Sequence, residues 1–276
     1  MKISILSGKG GTGKTTVATN LAKTLGYMYV DCDVEEPNGF IFLKPKIIKD
    51  NEVKVLVPTI DYDKCTLCGK CVKACQFNAI ANTGKDIMIF EKLCHSCGTC
   101  VLVCSQDAIV EKSRTIGKID IGETAEIKCI RGLLTVGEPM AGPIISQIKG
   151  MIDDKDVLID CAPGSSCNVV KAIIDTDYAI LVTEPTKFGL HDLHIATQLV
   201  RKMGIPFGVI INRSDEYVNL ITDYCKDNNI TILGQIPFDK KIANLYSKGK
   251  LLVEDNEYRS MFLEIAQKLK GVVLCS

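Results

Sequence analysis

Apolar residues along the chain fall into two rhythms. Short, nearly unbroken runs at 3–6, 27–30, 157–160, 178–182, 207–211 and 231–236 read as strands buried on both faces. Between them apolar residues recur at helical spacing. A first helix is predicted over 14–25, with Gly26 placed to cap its end, and Tyr258, Phe262, Ile265 and Leu269 form the core stripe of a last one. Alternating strands and helices predict an α/β fold, a mostly parallel sheet flanked by helices. The rhythm loosens between 37 and 58. There 39–43 begins a helix or a short strand, 53–57 alternates like a strand, and Pro58 marks a break. Strands are predicted again at 118–121 and 126–134 around Gly122. A glycine- and proline-rich loop over 137–143 then leads into a helix through Ile148, and Glu138 has no legible role beyond its place in that loop.

Composition narrows the classes. With 33 basic and 33 acidic residues in 276, charge is balanced, which points away from nucleic acid and acidic membrane surfaces. The short basic run containing Lys44, Lys46 and Lys49 reads as a solvated loop. No apolar stretch is long enough to span a bilayer, and the first strand begins too early to leave room for a signal peptide. The expectation is a soluble, cytoplasmic protein without stable membrane association.

The strand at 3–6 runs into Ser7, Gly8, Lys9, Gly10, Gly11, Thr12, Gly13, Lys14, Thr15 and Thr16, at the start of a helix. Strand, glycine loop and helix together make a phosphate cradle: backbone N–H groups point into one concavity, and the helix N-terminus adds partial positive charge. Lys14 is placed to reach the β- and γ-phosphates, and the Thr15 hydroxyl to ligate Mg²⁺. The strand at 27–30 delivers Asp31 and Asp33, and the strand at 157–160 delivers Asp160. All three lie at the sheet edge where α/β proteins bind ligands. Asp31 is read as holding a Mg²⁺-bound water, Asp33 as orienting the attacking water, and Asp160 as accepting a hydrogen bond from a Mg²⁺ ligand water.

Fourteen cysteines are many for this compartment, though below disulfide-scaffold density. Eight follow one repeated spacing: Cys65, Cys68, Cys71, Cys75, then Cys94, Cys97, Cys100, Cys104. The repeat continues past the thiols, with Gly69 matching Gly98, Val72 matching Val101, and Ala79 and Ile80 matching Ala108 and Ile109. This resembles bacterial two-cluster ferredoxins, in which the fourth cysteine of each run crosses to the other cluster. One [4Fe-4S] cluster is accordingly assigned to Cys65, Cys68, Cys71 and Cys104, the other to Cys75, Cys94, Cys97 and Cys100. Zinc also takes four cysteines, but usually from separated C-x2-C pairs. Gln76 and Ser105 stand where ferredoxins usually have proline, and His95 is read as a surface residue rather than a ligand. His191 and His194 likewise read as helix surface, and Cys32, Cys161 and Cys167 as small apolar side chains.

The run from Gly8 to Thr16, with Lys9 ahead of Lys14, resembles the deviant Walker A signature of MinD/ParA/Mrp-type P-loop ATPases, the superfamily that includes the nitrogenase iron protein. Asp31 and Asp33 resemble its Walker A′ element. Asp160 and Gly164, with Pro163 between them, resemble Walker B and switch II. The resemblance implies ATP, with Lys14, Asp33 and Lys9 as catalytic residues, and a homodimer in which Lys9 reaches the partner's nucleotide. Gly164 is placed by it to donate to the γ-phosphate. Asn212 and Arg213 would read the base and Pro237 would pack against it. Asn212, Arg213, Ser214 and Asp215 also approach a guanine-reading pattern, although the resemblance favours adenine. Three parts are expected: ATPase 1–58, a ferredoxin-like insert 59–112, and ATPase 113–276. The leading functional expectation is an Mg²⁺-dependent ATPase whose nucleotide state gates electron transfer to a redox partner. The alternatives are an ATP-dependent carrier or scaffold for iron–sulfur or metallocofactor assembly, and a redox-sensing positioning ATPase.

Overall fold

The structure is a computed structural model that describes residues 1–152 and 156–274. Its elements run β1 (Lys2–Leu6), α1 (Lys14–Leu25), β2 (Met28–Asp31), α2 (Gly39–Leu43), β3 (Lys46–Ile60), α3 (Lys70–Ala74), β4 (Ile80–Asn82), β5 (Ile87–Ile89), α4 (Thr99–Leu102), β6 (Ile109–Glu123) and β7 (Lys128–Leu134). They continue as α5 (Gly142–Gly150), β8 (Val157–Asp160), α6 (Cys167–Ile173), β9 (Tyr178–Thr183), α7 (Lys187–Lys202), β10 (Phe207–Ser214), α8 (Asn219–Asp227), β11 (Thr231–Pro237), α9 (Lys240–Ser247) and α10 (Asn256–Leu274).

Nine strands form one sheet in the order β11-β10-β9-β1-β8-β2-β7-β6-β3. Pairing is parallel from β11 to β7 and antiparallel for β7–β6 and β6–β3. Period-two alternation divides the central strands between two cores. Ile3, Ile5, Tyr29 and Leu158 face one layer with Val17, Leu21, Phe262 and Leu269, while Leu6, Val30, Val157 and Ile159 face the other with Ile144, Ile148 and Leu193. Helices on both faces satisfy this demand, so the predicted sandwich is the one observed. Gly26 ends α1 in the left-handed conformation at φ 70°.

The largest departure from expectation lies between α2 and β7. The strand predicted at 53–57 is the inner part of a fifteen-residue strand, and β6 is its fifteen-residue partner. They pair from Lys46 with Glu123 to Ile60 with Ile109. Lys46 and Lys49 are therefore not in a loop but in an exposed edge strand, where charge discourages further strand pairing. Pro58 does not break the strand, because an edge position tolerates its missing N–H. Alternation is visible only from Val53 onward, where one face is covered by the core. The expected part boundaries at 58/59 and 112/113 fall inside this ribbon, with Thr59 opposite Val110 and Lys112 opposite Val57. The chain between its ends, residues 61–108, carries α3, the β4–β5 hairpin, a 3-10 turn at Glu91–Leu93, and α4.

Candidate nucleotide site and cysteine rings

The glycine loop joins the C-terminal end of β1 to α1. Gly13 caps α1 at φ 95°, and a Cβ there would stand 2.2 Å from Asn212 Nδ2. That amide donates to Thr12 O at 2.8 Å, so Asn212 braces the loop from the end of β10. Its amide nitrogen is thus engaged by the loop, whereas the sequence assigned it to a base. A cleft of about 360 Å³ opens beside the loop. Gly10, Gly11, Gly13, Lys14, Thr15, Thr16, Asp33, Asn212 and Arg213 line it, and Pro237, Phe238, Ile242 and Tyr246 add apolar surface. Gly8, Lys9, Thr12 and Gly164 lie outside its lining. The Gly164 N–H assigned to a phosphate donates instead to Ser7 O at 2.9 Å, which ties the loop after β8 to the glycine loop.

Asp31 and Asp160 are register partners at the ends of β2 and β8. The Tyr29 hydroxyl reaches both, at 2.9 and 3.1 Å. Asp31 also accepts from the N–H groups of Gly39 and Asp33. Burial raises Asp31 well above the usual carboxylate range, and the facing Asp160 charge raises it further. Burial raises Asp160 too, while the neighbouring Thr15 hydroxyl and the Lys14 ammonium draw it back. Asp33 is pushed up to about 6 by burial and by Asp160, against the pull of Lys14. Asp160 Oδ1 is buried and has no hydrogen-bond partner among the described residues. A buried, unpartnered carboxylate oxygen beside Thr15, with a second carboxylate behind it, fits a divalent cation.

Sequence reasoning missed Tyr29 and Glu184. Tyr29 had a signal, since it lies two residues before Asp31 on one strand face. Glu184 follows β9 directly at the ligand-binding edge, a position like that of Asp160. It is buried, pairs with Lys9 through one oxygen and holds Arg213 at 3.1 Å through the other. Lys9, expected to reach across a dimer, is thus tied within its own chain.

The eight cysteines fall into two groups of four. Cys65, Cys68, Cys71 and Cys104 line one cavity, and Cys75, Cys94, Cys97 and Cys100 line a second. A step of 29 residues, Cys65 to Cys94, relates the two halves. At that step the backbone repeats itself in the left-handed region: Leu67 with Ser96, Gly69 with Gly98, and Asn78 with Asp107. The sulfurs accept repeated N–H groups as well, Ala79 to Cys75 at 3.4 Å and Ala108 to Cys104 at 3.3 Å. Among the described residues no three His, Cys, Asp or Glu side chains converge on a single-ion site. Each of the two cavities carries four thiols, the number and kind of donor that an iron–sulfur cubane takes. His95 is exposed and stacks on Phe77 with centroids 3.9 Å apart. His194 lies on the surface beside Tyr224 and Gln198. Cys32 and Cys161 are buried, but Cys167 is exposed at the start of α6.

Residues 3–253 match the CobQ/CobB/MinD/ParA nucleotide binding domain. The chain belongs to that family. It is a P-loop ATPase of MinD/ParA type. An uncharacterized protein of Methanocaldococcus jannaschii, MJ0578, is 34% identical over 99% of this chain and 98% of its own. A Pyrococcus furiosus protein named iron-sulfur cluster carrier protein is 26% identical over 97% of this chain and 85% of its own. In fold, the cell division ATPase MinD of Pyrococcus furiosus superposes with a TM-score of 0.61 at 20% identity, covering 98% of each chain. Within the family frame the glycine loop, Asp31, Asp33 and Asp160 occupy one sheet edge. No described helix is long and apolar enough to cross a membrane.

Proposed function

We propose that the protein hydrolyses ATP and uses its nucleotide state to gate electron transfer through two [4Fe-4S] clusters held in a ferredoxin-like insert, residues 59–112. The observation that carries this reading is the partition of eight thiols into two four-cysteine rings on a unit rooted in the ATPase sheet. When bound, such clusters supply one-electron redox chemistry at low potential. Cys65, Cys68, Cys71 and Cys104 would hold one, and Cys75, Cys94, Cys97 and Cys100 the other. The N–H groups of Ala79 and Ala108 orient the Cys75 and Cys104 sulfurs.

At the nucleotide site Lys14 neutralises the β- and γ-phosphates, and the backbone of Gly10 to Gly13 cradles them. Thr15 and Asp160 hold Mg²⁺, directly or through water, with Asp31 as the second carboxylate. Asp33 orients the attacking water from the cleft wall. Phe238 and Pro237 offer a face for adenine, and Arg213 lies beside it. Hydrolysis is completed in a homodimer with nucleotide at the interface, where Lys9 leaves Glu184 for the partner's phosphates and Gly164 exchanges Ser7 O for the γ-phosphate.

A second reading, an ATP-dependent carrier of iron–sulfur clusters for a client protein, is favoured by the names of several relatives. Incubation of the anaerobically reconstituted protein with an apo-ferredoxin separates the two. Iron retained by this chain supports electron transfer, and quantitative transfer to the acceptor reverses the ranking.

A further inference from the structure

The cysteine unit meets the ATPase body at a largely buried polar junction. Arg114 on β6 and Glu138 in the loop after β7 form an ion pair at 2.6 Å, with side chains 15% and 8% exposed. A second guanidinium nitrogen of Arg114, Nη2, donates to Glu91 O at 3.4 Å, and the same carbonyl accepts the N–H of Cys94 at 3.2 Å. Lys92 Nζ donates to Gly137 O at 3.3 Å across the same seam. In the other direction Glu138 N donates to Thr135 O, and Leu134 N donates to Val34 O at 2.8 Å. Val34 directly follows Asp33 on the wall of the nucleotide cleft. Cys94 and Ala79 also share one apolar core with Val34, Cys32 and Cys161. A second small core of Ile80, Ile87 and Ile109 packs against cysteines of both rings, Cys71 of one and Cys100 of the other.

Resting on the gating reading above, we infer that the Arg114–Glu138 pair is the joint through which nucleotide state acts on the ring of Cys75, Cys94, Cys97 and Cys100. Arg114 Nε and Glu138 Oε2 are buried without hydrogen-bond partners among the described residues. Each side thus keeps a spare donor or acceptor for a second register, whereas separating the charges would strand both. A shift of Val34 when the γ-phosphate arrives therefore moves the loop after β7, and Arg114 carries the movement to the turn that presents Cys94. The ring of Cys65, Cys68, Cys71 and Cys104 has no such attachment among the described contacts and is the insensitive one.

Hydrogen exchange on the anaerobic, iron-loaded protein tests the joint. It compares a non-hydrolysable ATP analogue, ADP and no nucleotide. In the wild type the amides of 91–94 and 134–138 change protection together between the analogue and ADP. In Glu138→Gln, with iron content unchanged, the response at 134–138 persists and the response at 91–94 is lost. A wild type in which 91–94 ignores nucleotide, or a variant that still transmits, overturns the proposal. If Glu138→Gln loses its iron, the wild-type comparison alone decides. Redox titration of the wild type judges the gating reading separately: equal potentials in all three states would remove that reading, while exchange at 91–94 still decides the joint.

Discussion

Asp33 is the residue whose chemistry is most exposed to measurement. Its carboxyl, pushed up to about 6 by burial and by Asp160, must be ionised to orient a water. kcat/KM for ATP should therefore rise with pH through about 6 and level off above it. Stability runs the other way: between 3.8 and about 6 the folded chain holds this proton more tightly than the unfolded chain, so this group's contribution falls as pH climbs through that window. Asp33→Asn should lower kcat by about 10²–10⁴-fold and remove the acidic limb, with nucleotide affinity largely kept. Gly13→Ala puts a side chain at φ 95° and 2.2 Å from Asn212 Nδ2, which should cost about 1–3 kcal/mol in thermal unfolding and weaken ATP binding. Gly13, Lys14, Asp31 and Asp160 were legible because local backbone demands and strand ends select them. Glu184 was not, because nothing near it in sequence shows that Lys9 and Arg213 converge there.

At the scale of elements, the two cysteine runs predict crossed ownership of the rings. Cys65→Ser and Cys104→Ser, 39 positions apart, should deplete the same half of the iron and leave the same residual EPR signal, whereas Cys75→Ser and Cys94→Ser deplete the other half. Variants that sort by sequence run rather than by cavity would contradict the partition. The repeat was readable because each half is a local unit with left-handed turns at fixed offsets. The ribbon that carries it was not. Its length comes from β3 pairing with β6, so exposed positions such as Lys46, Ile48 and Lys49 are strand without showing a buried face. Glu138 was opaque for a related reason, since its partner Arg114 is brought to it only by that ribbon.

The whole molecule joins the sheet edge that carries the glycine loop to two thiol rings through neighbouring strands of one sheet. If Lys9 must exchange Glu184 for a partner's nucleotide, Lys9→Ala should abolish ATP-dependent dimerisation in light scattering while the monomer still binds ATP. A dimer that persists in this variant would remove the trans role of Lys9. The central claim is that nucleotide occupancy alters the rings. An anaerobic redox titration followed by EPR, run with ATP, ADP and no nucleotide, addresses it most directly. A coupling of about 1–3 kcal/mol corresponds to a shift of roughly 40–130 mV in a one-electron potential. The account predicts a shift of that size between the ATP and ADP states, confined to one of two signals. Two signals that titrate at the same potentials in all three states would contradict it.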